Sequence, residues 1–406
     1  MAKAKKQKRY FEVDETLKTY PNATYYFLLG ARSCGKTYTC IKKAIKDAID
    51  GNGVFAYVRR YKESINAAGL QDLLSVHSGW VSEYTNGEWN RITYYQRRWW
   101  LDRVEENERT GLLERVARSE NPIGMACAMK TWETDKGPDF GADKGGVANI
   151  IFDEVISADG DYIQNEWSCF QNVISSFVRD RWEKNTKIWL LANPLSKYGG
   201  PYIKNLDIKK SMWAQFGTYE IIYPNEKGER NDESMSTIFV YIAARTNKDG
   251  KTLDVDDTAT KVYNKFFAFP NSKGTSKAVT QGYWELQDAN LLPSGIYRTS
   301  TKKRTVYFNF GEEFFACDVM KYDRTGVYYL FFHPTDKMNE YKIPKKDYFV
   351  TLGMTFERNG IIGMLTGHPI TELLLEIMKE NQVYYSDYEM ADIFHGFLKE
   401  QKMRKI

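Results

Sequence analysis

The octet Gly30, Ala31, Arg32, Ser33, Cys34, Gly35, Lys36 and Thr37 fits the pattern G-x-x-x-x-G-K-[ST]. These residue types at this spacing bind nucleotide phosphates: backbone N–H groups wrap the anion, and the helix that follows points its positive end at it. Gly30 and Gly35 are expected to take backbone conformations closed to other residues. Lys36 is expected to reach the β- and γ-phosphates of ATP, and Thr37 to hold Mg²⁺. The competing reading is a Gly-rich turn with a solvated lysine. The strand and helix signals on either side disfavour it.

A second group is the apolar run Val147 to Phe152 followed by Asp153 and Glu154. A buried strand that delivers two successive carboxylates suits anhydride hydrolysis, with Asp153 orienting Mg²⁺ and Glu154 activating water as a general base. Phosphoryl transfer to a bound acceptor needs no such base. Asn193 ends the run Lys187 to Ala192 (KIWLLA), placed to sense the γ-phosphate. Arg179 and Arg181, just upstream, are candidate arginine fingers for a neighbour's nucleotide, and Arg32 is a rival acting within the subunit. An exposed helix end with ordinary cations accounts for Arg179 and Arg181 equally well.

Positioning these groups takes alternating strands and helices. Thr24 to Leu29 reads as a strand, Tyr38 to Ile49 as a helix stopped at Gly51 and Gly53, and Val54 to Val58 as a short buried strand. The alternation predicts a parallel sheet covered on both faces. Arg59, Arg60, Tyr61 and Lys62 follow at a strand's C-terminal end, where ligands sit in open α/β sheets; a nucleotide, a neighbouring subunit, a polyanion or a solvated turn would each suit them. TNGEW (Thr85 to Trp89) signals a hairpin, Leu112 to Val116 a short helix and Gln164 to Phe177 a longer one. Phe216 to Tyr223 reads as the last core strand, with a further strand at Thr237 to Ala243. Polar, Gly-containing stretches then mark a connector, with a helix expected at Thr258 to Phe269. Hairpins start after Ile296, and helices close the chain at Ile370 to Glu380 and Tyr388 to Met403. The expected domains are residues 1–250, 251–295 and 296–406.

A chain of 406 residues with 42% apolar content can bury more than one core. No apolar run approaches the roughly 18 residues of a membrane span, and the basic start lacks a signal core, so neither a membrane partner nor secretion is expected. Five cysteines without paired spacing, one of them in the phosphate loop, argue for reduced thiols in a cytosol. With a net charge of +4, any nucleic acid must be met by local patches.

The chain resembles the genome-packaging motor ATPases of small short-tailed phages, the picovirus group, relatives of terminase large subunits. The likeness rests on FLLGARSCGKTY (Phe27 to Tyr38), FAYVRRYK (Phe55 to Lys62), NIIFDEVI (Asn149 to Ile156), YIQNE (Tyr162 to Glu166), FVRDR (Phe177 to Arg181) and LLANP (Leu190 to Pro194), in that order. It runs through the first 250 residues and thins over the connector and the last 110. Two departures stand out: the 64–120 region is longer than the family minimum, and two residues are inserted between Arg181 and Asn193.

The resemblance implies a P-loop ATPase domain of the additional-strand, catalytic-glutamate (ASCE) type with a parallel central sheet, then a small connector and a C-terminal RNase H-like α/β domain. It implies a homomeric ring, most often a pentamer, on the portal of an empty capsid in the host cytoplasm, moving double-stranded DNA inward with ATP and Mg²⁺. A structural packaging RNA is a partner in some members. By position Arg179 matches the family's trans-acting arginine, and Lys62 is a second residue to reach across the interface. In the last domain Asp318 stands where a first metal-binding carboxylate belongs, with Asp387 or Asp392 as a late one. No middle carboxylate is evident, so the nuclease-derived domain is expected to be inactive. Two other functions stay open: a helicase or remodelling ATPase dependent on nucleic acid, and a nucleotide-gated structural component.

Overall fold

The computed structural model describes residues 10–30, 34–132, 146–157, 162–178, 186–193, 200–213, 215–225, 227–230, 234–242, 245–246, 252–253, 289–310, 313–336, 347–351, 376–380 and 382–404. Outside them lie Ala31, Arg32, Ser33, Arg179, Arg181, most of the expected connector with its helix, and most of the helix expected at Ile370 to Glu380. The described residues divide into two compact units, those up to Leu253 and those from 289 onward.

The first unit begins with α1 (Val13–Thr19), β1 (Tyr25–Gly30), α2 (Lys36–Ile49) and β2 (Val54–Arg59). All six residues of β1 are buried, the signature of a parallel strand covered on both faces. Next come α3 (Ala67–Ser75), started by the Asn66 side chain accepting from Gly69 N at 2.6 Å, and α4 (Ser78–Tyr84). Strands β3 (Arg91–Tyr95), β4 (Arg98–Glu106), β5 (Leu113–Arg118), β6 (Gly124–Ala128) and β7 (Val147–Asp153) follow. The unit continues with α5 (Glu166–Val178), β8 (Lys187–Ala192), α6 (Pro201–Asn205), β9 (Gly217–Ile222), β10 (Ser236–Ile242) and a small ribbon of β11 (Arg245–Thr246) and β12 (Thr252–Leu253).

The large sheet runs β3-β4-β6-β2-β7-β8-β1-β10-β9, with β5 paired to β4. From β6 to β10 every neighbouring pair is parallel. β8 stands between the phosphate-loop strand β1 and the carboxylate strand β7, so the additional strand of the expected fold is present. Two apolar layers cover the sheet, one holding Phe152, Phe170 and Tyr202, the other Ile41, Leu74 and Trp99.

Three local expectations are corrected. TNGEW is not a hairpin turn; it terminates α4, with Asn86 and Gly87 at φ +50° and +82°. The hairpin turn falls at Gln96 and Arg97 instead. Leu112 to Val116 is not a helix: Leu113 onward pairs antiparallel with β4, and that cross-strand pairing overrides helix propensity. The strand at Phe216 to Tyr223 is only the antiparallel edge, because β10 inserts between it and β1.

α2 is anchored along one row of residues, four apart. Tyr38 stacks on His77 with ring centroids 4.3 Å apart, and Lys42 lies over Trp80 at 5.2 Å. Lys46 lies over Tyr84 at 5.8 Å, and the Tyr84 hydroxyl donates to Asp50 at 2.7 Å. Residues i and i+4 share a helix face, so this row faces α4 throughout.

The second unit has α7 (Ser294–Arg298), β13 (Ser300–Phe310), β14 (Glu313–Tyr322), β15 (Tyr328–Pro334), β16 (Tyr348–Thr351), β17 (Val383–Tyr385) and α8 (Tyr388–Arg404). An antiparallel meander β13-β14-β15 is extended by parallel β16 on one edge and parallel β17 on the other. Phe394 and Phe397 of α8 pack on Phe308 and Phe315. Among the described residues no helix is long and apolar enough to cross a membrane.

Candidate functional site

The phosphate loop turns on Gly35, at φ +104°, where a side chain would also press on Tyr10 and Phe11. Gly30 differs from expectation: it ends β1 in extended form, and what its missing side chain provides is space. A Cβ there would lie 3.0 Å from both Cys34 Sγ and Ile242 Cβ. The N-terminal segment straps the loop, with Phe11 N donating to the Cys34 carbonyl at 3.1 Å and Val13 N to Thr39 Oγ1 at 3.1 Å.

Lys36 Nζ donates to the Gly30 carbonyl at 2.6 Å and to Asn193 Oδ1 at 3.1 Å. Thr37 Oγ1 lies 3.4 Å from Asp153 Oδ2. Lys36, Asn193 and Asp153 therefore converge, as β1, β8 and β7 are neighbours whose C-terminal ends share one edge. Tyr57, from β2, donates its hydroxyl to Asp153 Oδ2 at 3.0 Å. Burial pushes the Asp153 carboxyl up from the usual range, Arg59 pulls it down and Glu154 pushes it up again. A desolvated carboxylate beside a hydroxyl is a hard-oxygen pair that fits Mg²⁺.

Glu154 is exposed and its backbone is left-handed, φ +60°. That conformation costs a non-glycine residue on the order of 1–3 kcal/mol and needs its surroundings to enforce it. Arg60 does so. Its guanidinium donates to the carbonyls of Glu154 (3.2 Å) and Val155 (2.9 Å) and, bidentately, to the buried carboxylate of Glu166 (2.8 and 2.9 Å). Val155 N also donates to the Leu191 carbonyl at 3.0 Å, tying the turn to β8. Arg59 Nη2 meets the Glu154 carboxylate itself at 2.7 Å.

The sequence leaves the purpose of Arg59 and Arg60 open; in the structure Arg59 meets the Asp153 and Glu154 carboxylates, and Arg60 meets the backbone beside them and Glu166. Their signal was position, two arginines at the end of the strand beside β7. Lys62 goes elsewhere, to a cavity between β2, β6 and the β3–β4 turn. In the second unit Asp318 is buried and accepts from Thr305 Oγ1 at 2.6 Å, with His333 Nε2 at 3.3 Å and Lys302 Nζ at 3.6 Å. Asp387 accepts from Met390 N at 2.8 Å and so caps α8. Asp392 lies within α8. Among the described residues no three His, Cys, Asp or Glu side chains gather as a metal site.

No protein-family model matches the chain. It is 27% identical over 233 residues to the DNA packaging protein of Bacillus phage B103, covering 56% of this chain and 62% of that one. It is 25% identical over 196 residues to the DNA packaging protein of Bacillus phage phi29, covering 48% of this chain and 49% of that one. The chain thus spans about half to three fifths of the length of the curated relatives it matches. A solved chain of the bacteriophage Phi-29 genome packaging motor assembly aligns over 97% of this chain and 99% of its own, at 14% identity and TM-score 0.48. Over the stretch they share, the chain is a homologue of proteins named DNA packaging protein in phi29-like Bacillus phages.

Proposed function

We propose that the protein is an ATP-driven translocase that moves double-stranded DNA into a preformed viral capsid. The observation that carries the reading is the meeting of Lys36, Thr37, Asn193 and Asp153 at one sheet edge, with Glu154 fixed beside them. Lys36 and the loop N–H groups bind and orient the triphosphate, and Asn193 shares Lys36 and so registers its engagement. Glu154 accepts the proton of the attacking water at its carboxylate once Arg59 yields it. Thr37 and Asp153 would hold Mg²⁺, which would supply charge neutralisation to the triphosphate.

Motor action implies a homomeric ring, a pentamer on the family pattern, seated on the portal in the host cytoplasm, with a structural RNA as a further partner in some members. Arg179 is the proposed trans-acting arginine, with Arg181, Arg32 and Lys62 as its rivals. DNA is gripped through its phosphates and not its bases, as packaging demands. The three-domain division and the nuclease-derived, inactive character of the last domain belong to the same proposal. Support for inactivity is the ring of Thr305, His333 and Lys302 around Asp318, which leaves its carboxylate matched to protein cations.

The deciding experiment is ATP turnover by the purified chain with and without double-stranded DNA. Stimulation by duplex without strand separation is expected. Turnover indifferent to DNA overturns the translocase reading, and strand separation converts it into a helicase.

A further inference from the structure

A cavity of about 300 Å³ lies at the C-terminal ends of β2 and β6, beneath the turn joining β3 to β4. β6 is four strand positions from β1, roughly 19 Å along the sheet, so this is not the triphosphate site. Its floor is apolar, with Ala126 and Cys127; around it stand Lys62, Tyr94, Gln96 and Arg97. Both Lys62 and Arg97 are exposed.

Two features of this cavity go unexplained by folding. The Tyr94 hydroxyl is buried without a hydrogen-bond partner, an arrangement that costs about 1–3 kcal/mol. Its electrostatic neighbours Arg97 and Cys127 are cavity residues too, and burial pushes the hydroxyl up to about 12 against the pull of Arg97. The second feature is the turn. Gln96 and Arg97 are left-handed, at φ +50° and +62°. A two-residue hairpin turn with both residues left-handed is relaxed as Asn-Gly and strained with long side chains. The chain accepts that strain and places an amide and a guanidinium over the cavity.

We propose that this cavity binds one nucleotide unit, with its phosphate at Lys62 and Arg97 and its sugar or base bonded to the Tyr94 hydroxyl. Two cationic side chains lining one cavity favour an anion there. The volume exceeds what inorganic phosphate fills and lies at the lower end of small-ligand sites, matching a phosphate with sugar and base. The Gln96 amide offers a donor and an acceptor to a base edge. The same chemistry has two sources, a free mononucleotide and one residue of a single-stranded nucleic acid. The inference does not depend on the proposed packaging function.

The test uses the full chain carrying Lys36→Ala, which disables the phosphate loop, and measures equilibrium binding of AMP and of a four-nucleotide single-stranded DNA. One-to-one binding of either is expected. Tighter binding of AMP identifies the free nucleotide as source; tighter binding of the oligonucleotide identifies the polymer. Adding Tyr94→Phe should weaken binding about fivefold while leaving the melting temperature of the ligand-free protein unlowered, since the hydroxyl makes no bond there. Adding Gln96→Asn with Arg97→Gly should raise that melting temperature and weaken binding more than about tenfold. Absence of binding by both probes at millimolar concentration overturns the proposal. So does binding that neither set of substitutions changes, or capture of an acidic peptide in place of both probes.

Discussion

Arg59 Nη2 donates to Glu154 Oε2 at 2.7 Å, so the candidate base is tethered by the strand next to its own. The same guanidinium reaches Asp153 Oδ2 at 3.8 Å. A carboxylate oxygen occupied by a guanidinium cannot also take up an attacking water until it is released. Arg59→Ala should therefore raise ATP turnover in the absence of DNA several-fold and shrink the ratio by which DNA stimulates it. Steady-state phosphate release with and without duplex reads both numbers, and an unchanged ratio counts against the tether.

Glu154→Gln keeps the shape of the side chain and removes its basicity. Turnover should fall by about 10²–10⁴-fold with ATP binding retained, whereas Lys36→Ala should lose binding as well. Filter binding of labelled ATP beside a turnover assay separates the two variants.

The clamp of Arg60 on Glu166 is a buried, bidentate ion pair, and removing one partner strands the other charge. Glu166→Ala should cost roughly 3–5 kcal/mol, while Arg60→Met combined with Glu166→Leu should recover most of it. Thermal unfolding measures stability. Turnover in the double variant should stay low, because the carbonyls of Glu154 and Val155 still lack their donor.

His77 is fully buried with both ring nitrogens unpartnered, and burial, aided by Lys42, lowers its pKa to about 4. The unfolded chain takes up that proton near pH 6.5, the folded chain only near 4. Stability should fall as pH drops across that window, by roughly 3 kcal/mol in all. His77→Phe preserves the ring against Tyr38 and should abolish this loss in denaturant titrations at pH 7 and pH 4.5.

Asp318 and His333 form the opposite case. Burial opposes both charges, yet the contacts from His333 and Thr305 hold the Asp318 carboxyl below its usual range, and Asp318 holds the His333 imidazole above its own. The pair should stabilise the second unit most between pH 3.8 and 6.5, the two ordinary values. That support is lost as pH falls through the folded carboxyl value or rises through the folded imidazole value. Asp318→Asn should flatten both arms of the stability profile and leave incubated DNA as intact as the parent does.

The phosphate loop, the carboxylate strand and Asn193 were legible because each is a short apolar run ending in a fixed polar signal. The order of strands was not legible, since nothing local to Ser236–Ile242 tells that it lies beside β1. Residues 64–120 misled for a physical reason. TNGEW carries the same turn chemistry whether it ends a helix or joins two strands, and only the packing of α4 on α2 decides. Arg60 illustrates the other limit: its value lies in a carboxylate 106 positions away, a pairing no spacing rule contains.

The row Tyr38, Lys42, Lys46 and Asp50, along α2 and its C-cap, meets His77, Trp80 and Tyr84 at the start and along the length of α4. A rod pinned so often cannot swivel at its loop end while its flank stays put. A rotation of α2 about its axis would have to carry Trp80 and Tyr84 with it, so the helix that starts at Gly35 is braced by the flank and not merely covered by it.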